Sequence, residues 1–166
     1  MPRRRERVSS DSPYERTIGF SRAVRVGNRV VVAGTAPVYP DGSCPQDAGA
    51  QARRCLEIIS KALEDAGSDV RHVVRTRVFL TSADDADSVG SAHGEVFGDT
   101  RPAATMVVVA GLLDPRWKVE IEAEAVDEET PLDVGSIFDL AADATRSMSE
   151  KLSRAGSGAR EPGARS

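Results

Sequence analysis

The sequence predicts an α/β domain built from one β-sheet with two helices laid on one of its faces. Two observations favour this class. In several short stretches apolar and polar residues alternate, most clearly from Trp117 to Val126, and such alternation is typical of strands. Between these stretches, two segments repeat apolar residues at spacings of three and four, which is typical of helices. The predicted order of elements is β-β-α-β-α-β-β.

The first two strands form a predicted hairpin. The run from Ala23 to Val26 and the run from Arg29 to Ala33 are rich in valine, and the pair Gly27 and Asn28 between them suits a two-residue turn. The segment from Gly34 to Pro45 contains three prolines and an Asp-Gly pair, so it is predicted to be a loop.

A helix is predicted from about Gln46, with Gly67 as its C-terminal stop. Its apolar face would contain Ala52, Cys55, Leu56, Ile59, Ala62, Leu63 and Ala66. A second helix is predicted to be capped by Ser82 and to end before Gly98. Its apolar face would contain Ala86, Val89, Ala92 or His93, Val96 and Phe97.

Three further strands complete the predicted sheet. The first runs from His72 to Leu80, with Val74, Thr76, Val78 and Leu80 on one side and Val73, Arg75, Arg77 and Phe79 on the other. Thr105 to Val109 is predicted to be a buried strand, and Trp117 to Val126 is the last. The sheet face away from the helices is expected to be apolar as well, which predicts a homo-oligomer.

The chain divides into three predicted parts. Residues 1–16 are expected to form a flexible basic arm, and residues 17–127 the folded domain. Residues 128–166 form an extension with an amphipathic helix at about 133–154 and a disordered end.

Composition excludes several classes of function. The net charge of −4 and an aromatic content of 4% argue against nucleic-acid binding through bulk charge or base stacking. No apolar run reaches the length of a membrane span, and no signal-peptide core follows the basic arm, so we expect a cytoplasmic protein without a membrane partner. Cys44 and Cys55 are predicted to be free thiols, and two histidines far apart in sequence do not predict a metal site.

The strongest chemical candidate is an acidic row on the last strand. Glu120, Glu122 and Glu124 share one face, and the last two suit a solvent-facing surface. Glu120 lies closest to the turn at Pro115, where a half-buried carboxylate would have a raised pKa and could move a proton through water. Arg101 is a candidate cation for an anionic ligand, although a loop salt bridge explains it equally well. His72 and His93 suit a surface or core-edge position better than a general base.

Four sequence blocks together resemble the RidA (YjgF/YER/UK) family of reactive-intermediate deaminases. They are Phe20-Ser-Arg-Ala-Val-Arg-Val-Gly-Asn, Val32-Ala-Gly-Thr-Ala-Pro, Arg101-Pro-Ala-Ala-Thr-Met-Val and Val119-Glu-Ile-Glu-Ala. The resemblance implies a chorismate-mutase-like subunit, a trimer whose sheets enclose a barrel, and small-molecule clefts between subunits. It also implies hydrolysis of imines and enamines such as 2-aminoacrylate, with no cofactor.

The resemblance also implies site residues, several of which depart from the family pattern. Glu120 matches the water-activating glutamate, and Gly34, Thr105, Met106 and Pro115 match cleft positions. Where the family has a cleft tyrosine, a serine and a glutamine, this chain has Phe20, Ala33 and Thr35. Ala104 stands where deaminase members place the arginine that grips the substrate carboxylate. On a straight strand Arg101 would point to the opposite face from that position, so only a bend at Pro102 could let it substitute.

These departures predict a divergent enzyme rather than an efficient 2-aminoacrylate deaminase. Its substrate would be a small imine, enamine or related carbonyl metabolite, hydrolysed or tautomerised in a more apolar cleft. The competing interpretation is a non-catalytic trimer that binds a small ligand or acts as a scaffold.

Overall fold

The computed structural model describes residues 5–10, 12 and 14–128. Its helices are α1 (Ala48–Asp65) and α2 (Ala86–Phe97), and its strands are β1 (Arg5–Val8), β2 (Ala23–Val26), β3 (Arg29–Thr35), β4 (Val73–Leu80), β5 (Ala103–Val108) and β6 (Val119–Val126). The strands form one sheet in the order β1-β2-β3-β6-β4-β5. Only β4 and β5 pair in parallel among these neighbours. The C-terminal helix predicted at about 133–154 lies outside the described residues.

The core lies between the two helices and one face of the sheet. Helix α1 packs on β3 and β6 and against α2. Its first turn is capped by the Asp47 carboxylate, which accepts a hydrogen bond of 2.8 Å from the Ala50 backbone N–H. At its other end Gly67 has a φ of 72°, a conformation that favours glycine. The periodicity of α1 is therefore confirmed, with the start two residues later than expected.

Strand β6 lies in the middle of the sheet, between β3 and β4. The predicted alternation is confirmed, because Val119, Ile121, Ala123 and Ala125 are all buried under the helices. The three glutamates between them therefore point to the opposite face, which we call the open face because no α-helix within residues 5–128 covers it.

The prediction of an apolar open face is wrong for the centre of the sheet. There Arg77 of β4 forms an ion pair with Glu122, and Arg29 of β3 forms one of 2.6 Å with Glu124. Cross-strand pairs of opposite charge stabilise a solvent-facing sheet, so these two glutamates have structural partners. Exposed apolar side chains remain on the sheet at Val26 and Val107, and at Val31, which pairs directly with Glu124.

Strand β4 departs from the predicted facing at its start. Thr76, Val78 and Leu80 are buried as expected, but Val73 is buried and Val74 is exposed. The pairing with β6 shifts between Val73 and Arg75. Because of this irregularity, the residues at the start of β4 point to the face of the sheet opposite to the one predicted.

Strand β5 is not the buried strand that the sequence predicted. It lies at the edge of the sheet and all six of its residues are exposed. Its valines favour a strand because of their high β-propensity, but they do not show that the strand is buried. No strand within the described residues pairs with its outer edge. At the opposite edge lies β1, which the sequence analysis missed. Arg5–Val8 pair with Val26–Ala23, so the flexible-arm expectation is corrected for these four residues.

Helix α2 begins later than Ser82. The Ser82 side chain accepts a hydrogen bond of 3.2 Å from the Asp84 backbone N–H and caps a 3₁₀ turn at Ala83–Asp85, from which α2 continues. Val89, Ala92 and Phe97 of α2 are buried. Among the described residues, neither helix has the length and apolar character needed to cross a membrane.

Candidate functional site

Glu120 is a half-buried carboxylate on the open face of β6. It pairs across the strands with Phe79 of β4. On its other side its carboxylate lies against Gly34, where the pairing of β3 with β6 is irregular between Val32 and Thr35. A Cβ atom at Gly34 would overlap the Glu120 carboxylate, so glycine at this position provides the space that the carboxylate occupies.

The environment of Glu120 favours the protonated form. Burial raises the pKa of this carboxyl group above its ordinary value, the nearby Arg22 guanidinium lowers it, and Glu122 raises it; the net effect is a raised pKa. A carboxyl group with a raised pKa exchanges protons with water closer to neutral pH, as general acid-base chemistry requires.

Arg22 is the cation of this site, and the sequence analysis did not single it out. Its Nη1 donates a hydrogen bond of 2.6 Å to Thr35 Oγ1, and its Nη2 donates one of 3.1 Å to the Gly34 carbonyl. An arginine just before a strand is usually a solvated surface residue, and no local pattern signals its approach to Gly34.

Phe20 lies in a surface depression of about 450 Å³ on the open face, at the edge formed by β1 and β2. The depression is lined by Arg5, Arg7, Glu15, Gly19, Phe20, Ser21 and Val24. The Glu15 carboxylate accepts hydrogen bonds of 2.5 and 2.6 Å from the Ser10 backbone N–H and hydroxyl. The depression therefore combines an aromatic ring with charged walls.

The other two predicted positions on β3, Ala33 and Thr35, differ in the direction and exposure of their side chains. Ala33 follows the buried Val32, and alternation places it toward the open face. Thr35 is only 1% exposed, and its hydroxyl donates to the Ala33 carbonyl at 2.8 Å while accepting from Arg22. Within the chain, Thr35 therefore holds Arg22 in place and does not present its hydroxyl to solvent.

Three predicted positions lie on the exposed edge strand β5. Ala104 and Met106 pair with Thr76 and Val78, whose side chains point into the core. Registered neighbours in a sheet point to the same side, so Ala104 lies on the helix side and Glu120 on the open face. Thr105 pairs with Arg77 and faces the open side. Within one chain, the structure does not bring Ala104 and Glu120 together.

Arg101 and Pro115 lie outside the strands. Arg101 has a φ of 49°, and its Nε donates a hydrogen bond of 3.1 Å to the Gly98 carbonyl after α2. This contact holds its guanidinium at the end of the helix rather than beside Glu120. Pro115 is exposed in the turn before β6.

The buried Gln51 ties that turn to α1. Its Nε2 donates to the carbonyls of Pro45 and Arg116, and its Oε1 accepts from the Lys118 N–H at 2.7 Å. These bonds position the start of β6, and hence Glu120. Sequence periodicity did not identify Gln51 because a polar residue does not count toward an apolar face.

The two histidines occupy structural positions. His93 Nε2 lies 2.9 Å from Thr76 Oγ1, and its ring packs against Phe97. Burial lowers the pKa of His93. His72 Nδ1 lies 3.0 Å from the Asp127 carboxylate. Within the described part of the chain, no group of three or more candidate ligands is placed to hold a metal ion.

Comparison with known proteins identifies the family. The sequence profile described as "Endoribonuclease L-PSP" matches residues 11–127. A crystal structure from Mycobacterium tuberculosis, described as a member of the YjgF/YER057c/UK114 family, is 43% identical with a TM-score of 0.69, and the match covers 75% of this chain and 100% of that one. The chain belongs to the RidA (YjgF/YER/UK) family. Its α/β fold is that of the family.

Two curated relatives are similar to this chain in sequence, one of them uncharacterized and the other named as an enzyme. An uncharacterized protein of Streptomyces coelicolor is 40% identical over 124 residues, which cover 72% of this chain and 90% of the relative. The 2-iminobutanoate/2-iminopropanoate deaminase of Escherichia coli is 37% identical over 112 residues, which cover 64% of this chain and 86% of that enzyme.

Proposed function

We propose that this RidA-family chain is a divergent enzyme that hydrolyses or tautomerises a small imine, enamine or related carbonyl metabolite. The observation that carries the proposal is Glu120, a half-buried carboxyl group with a raised pKa that lies against Gly34 and near Arg22. The group is placed for proton transfer, and the name of the Escherichia coli relative supports imine chemistry.

In hydrolysis, Glu120 would act first as a base and then as an acid. The Glu120 carboxylate takes a proton from water as the water oxygen bonds to the imine carbon. Glu120 returns that proton to the imine nitrogen, which gives a neutral carbinolamine. Glu120 then takes the proton of the carbinolamine hydroxyl and gives it to the nitrogen as the carbon–nitrogen bond breaks, so that a carbonyl product and ammonia are released. In tautomerisation the same group would remove a proton at one atom and return it at another.

Ala104 supports a change of substrate away from 2-imino acids. A bidentate arginine–carboxylate pair supplies two charge-assisted hydrogen bonds of about 1.5–3 kcal/mol each. Without that pair, 2-aminoacrylate would lose its anchor, and a less acidic, more apolar metabolite would suit a cleft shaped by Phe20, Ala33 and Ala104. Pro115, Thr105 and Met106 would line the same cleft.

The proposal includes a homotrimer with the ligand bound between subunits. Two observations support it. Ala104 and Glu120 lie on opposite faces of one chain's sheet, so a cleft containing both positions needs a second copy. The exposed β5 also presents Met106, Val107 and Val108, which are 38%, 43% and 55% exposed, at an edge that another subunit could cover. We further propose a cytoplasmic protein that needs no cofactor and no nucleic-acid partner.

A net charge of −4 supports small-molecule chemistry over RNA cleavage, although the family description names an endoribonuclease. The second candidate function is a trimer that binds a ligand or acts as a scaffold without catalysis. The alanine at position 104 favours it, because the chain lacks the arginine that holds the substrate carboxylate in the deaminase members it resembles.

The test measures the turnover rates of wild type and of Glu120 variants on several imine and enamine substrates. Generating 2-aminoacrylate in situ from serine with a pyridoxal-phosphate dehydratase should give little rate above free-solution hydrolysis, whereas neutral imines and enamines should be turned over. Glu120→Gln should abolish that turnover. Glu124→Gln is the matched control, since it alters the same face of the same strand and should leave the rate intact. Equal rates for wild type and Glu120→Gln on every substrate would favour the non-catalytic trimer.

A substitution at Ala104 tests the substrate class separately. Ala104→Arg should raise the rate on 2-aminoacrylate if the missing arginine alone limits it. An unchanged rate would show that the rest of the cleft also rejects 2-imino acids.

A further inference from the structure

We propose that Arg22 is a positioning residue that holds the Gly34–Thr35 bend against Glu120 and stabilises the Glu120 carboxylate through its positive charge. The inference rests on the proposed function only in taking Glu120 as the reactive group. It concerns a residue just before β2, nearly one hundred positions earlier in the chain.

The contacts of Arg22 are concentrated on the bend beside Glu120. Its two terminal nitrogens bond to the Thr35 hydroxyl and the Gly34 carbonyl, at the point where the pairing of β3 with β6 is interrupted. A guanidinium can serve two acceptors at fixed positions because its donors form a rigid fork. Arg22 therefore supplies hydrogen bonds where the pairing between β3 and β6 is interrupted. These bonds hold the Gly34 backbone next to the Glu120 carboxylate.

Arg22 also acts on Glu120 through charge. Two carboxylates, Glu15 and Glu120, stabilise its charged form. Burial lowers the pKa of Arg22, but an arginine stays protonated in a folded protein. Its Nε is buried without a hydrogen-bond partner among the described residues, so the guanidinium is retained at a cost. That cost is consistent with a role other than stability.

The other charges around Glu120 do not replace Arg22. Glu122 on the same strand disfavours a second negative charge, and its own partner is Arg77. From α1, the Cys55 thiol lies near enough to interact with Glu120, but burial raises the pKa of that thiol and keeps it neutral. Among the residues that the structure describes, Arg22 is therefore the one cation that favours the Glu120 carboxylate, opposing both burial and Glu122.

The experiment follows the side-chain carboxyl carbon of Glu120 by NMR as a function of pH, with the signal assigned from Glu120→Gln. Arg22→Gln should move the Glu120 titration midpoint to higher pH, because the favourable positive charge is lost. Arg22→Lys should return the midpoint toward wild type, since it keeps the charge. Arg29→Gln is the matched control: it removes an open-face arginine paired with Glu124 and should leave the midpoint unchanged.

A folded Arg22→Gln chain whose Glu120 midpoint matches that of Arg29→Gln would overturn the inference. If Arg22→Gln does not fold, Thr35→Val replaces it, because this change removes the acceptor of Nη1 and keeps the charge. A midpoint at higher pH would then support positioning by Arg22, and an unchanged midpoint would overturn it.

The outcome is separable from that of the proposed function. If Glu120→Gln keeps turnover while Arg22→Gln moves the midpoint, the catalytic proposal fails and the inference stands. If Glu120→Gln abolishes turnover while the midpoint does not respond to Arg22, the reverse holds.

Discussion

Replacing Asp127 by asparagine should destabilise the fold by about 2–3 kcal/mol at neutral pH. The Asp127 side chain is 14% exposed and lies just after β6. Its carboxylate pairs with Arg25 at 2.5 Å and accepts from the Ser68 hydroxyl, and His72 lies 3.0 Å away. Arg25 in turn donates to the carbonyls of Ala66 and Gly67 at the end of α1.

The magnitude follows from these contacts. Breaking a fully buried ion pair costs about 3–5 kcal/mol, because the remaining charge is left without a partner. Arg25 is 23% exposed, so water compensates part of its charge and lowers the expected cost. Asparagine keeps one oxygen that can accept from Ser68, which lowers it further.

The pH dependence gives a second, independent check. Burial raises the pKa of Asp127, but hydrogen bonds from Ser68 and Arg25 and the Arg25 charge outweigh it, so the net pKa is lowered. A lowered pKa contributes stability above the unfolded-state value of about 3.9, and that contribution is lost as the pH falls through the folded-state pKa. The difference between wild type and Asp127→Asn should therefore shrink on acidification below about pH 4.

Urea unfolding measured at one fixed chain concentration, at pH 7 and at several acidic pH values, tests both statements. Asp65→Asn is the matched control. It removes an aspartate whose pair with Lys61 is exposed, with side chains 43% and 67% exposed, and should cost less than about 0.5 kcal/mol. A loss for Asp127→Asn no larger than for Asp65→Asn, or a difference that persists unchanged in acid, would refute the reasoning.

Three further predictions use other parts of the fold. In the folded protein Cys44 should react with a thiol reagent and Cys55 only on unfolding, because Cys55 is 0% exposed and burial raises its pKa; two fast thiols per chain would contradict this. Thr76→Val should cost about 1 kcal/mol in urea unfolding by leaving His93 Nε2 without its partner, and no loss would show that water replaces the hydroxyl. Gly34→Ala should displace the Glu120 carboxylate and change its NMR titration, whereas Gly90→Ala, with open space around the added methyl group, should not.

The fold was predictable where its signals are local. Alternation in β6, the three-and-four spacing in α1 and the turn at Gly27 each depend on residues close in sequence, and the structure confirms them. The errors have non-local causes. Val73 and Val74 are reversed by an irregularity that only pairing with β6 reveals, and the valine-rich β5 gave no signal that it would lie at an edge.

The open face is a clearer example of a feature that depends on residues far apart in sequence. The sequence showed that Glu122 and Glu124 share a face, and a solvent-facing position was expected for them. It did not show that Arg77 and Arg29 lie across from them, because strand order and register decide which residues become neighbours. An expected apolar surface therefore has a charged centre.

The candidate site depends on this non-local geometry more than the fold does. Glu120 could be chosen from sequence because it lies on a clear strand near a turn, but its proton affinity depends on Gly34 and Arg22. Neither neighbour could be identified from the sequence, since the glycine was predicted to lie in a loop and an arginine before a strand is usually a surface residue. Both belong to the site because the pairing of β3 with β6 is interrupted after Val32. At that interruption Arg22 donates a hydrogen bond to the Gly34 carbonyl, and the Glu120 carboxylate contacts Gly34. A change at Arg22 or Gly34 should therefore alter the proton affinity of Glu120 even though Glu120 itself is not substituted.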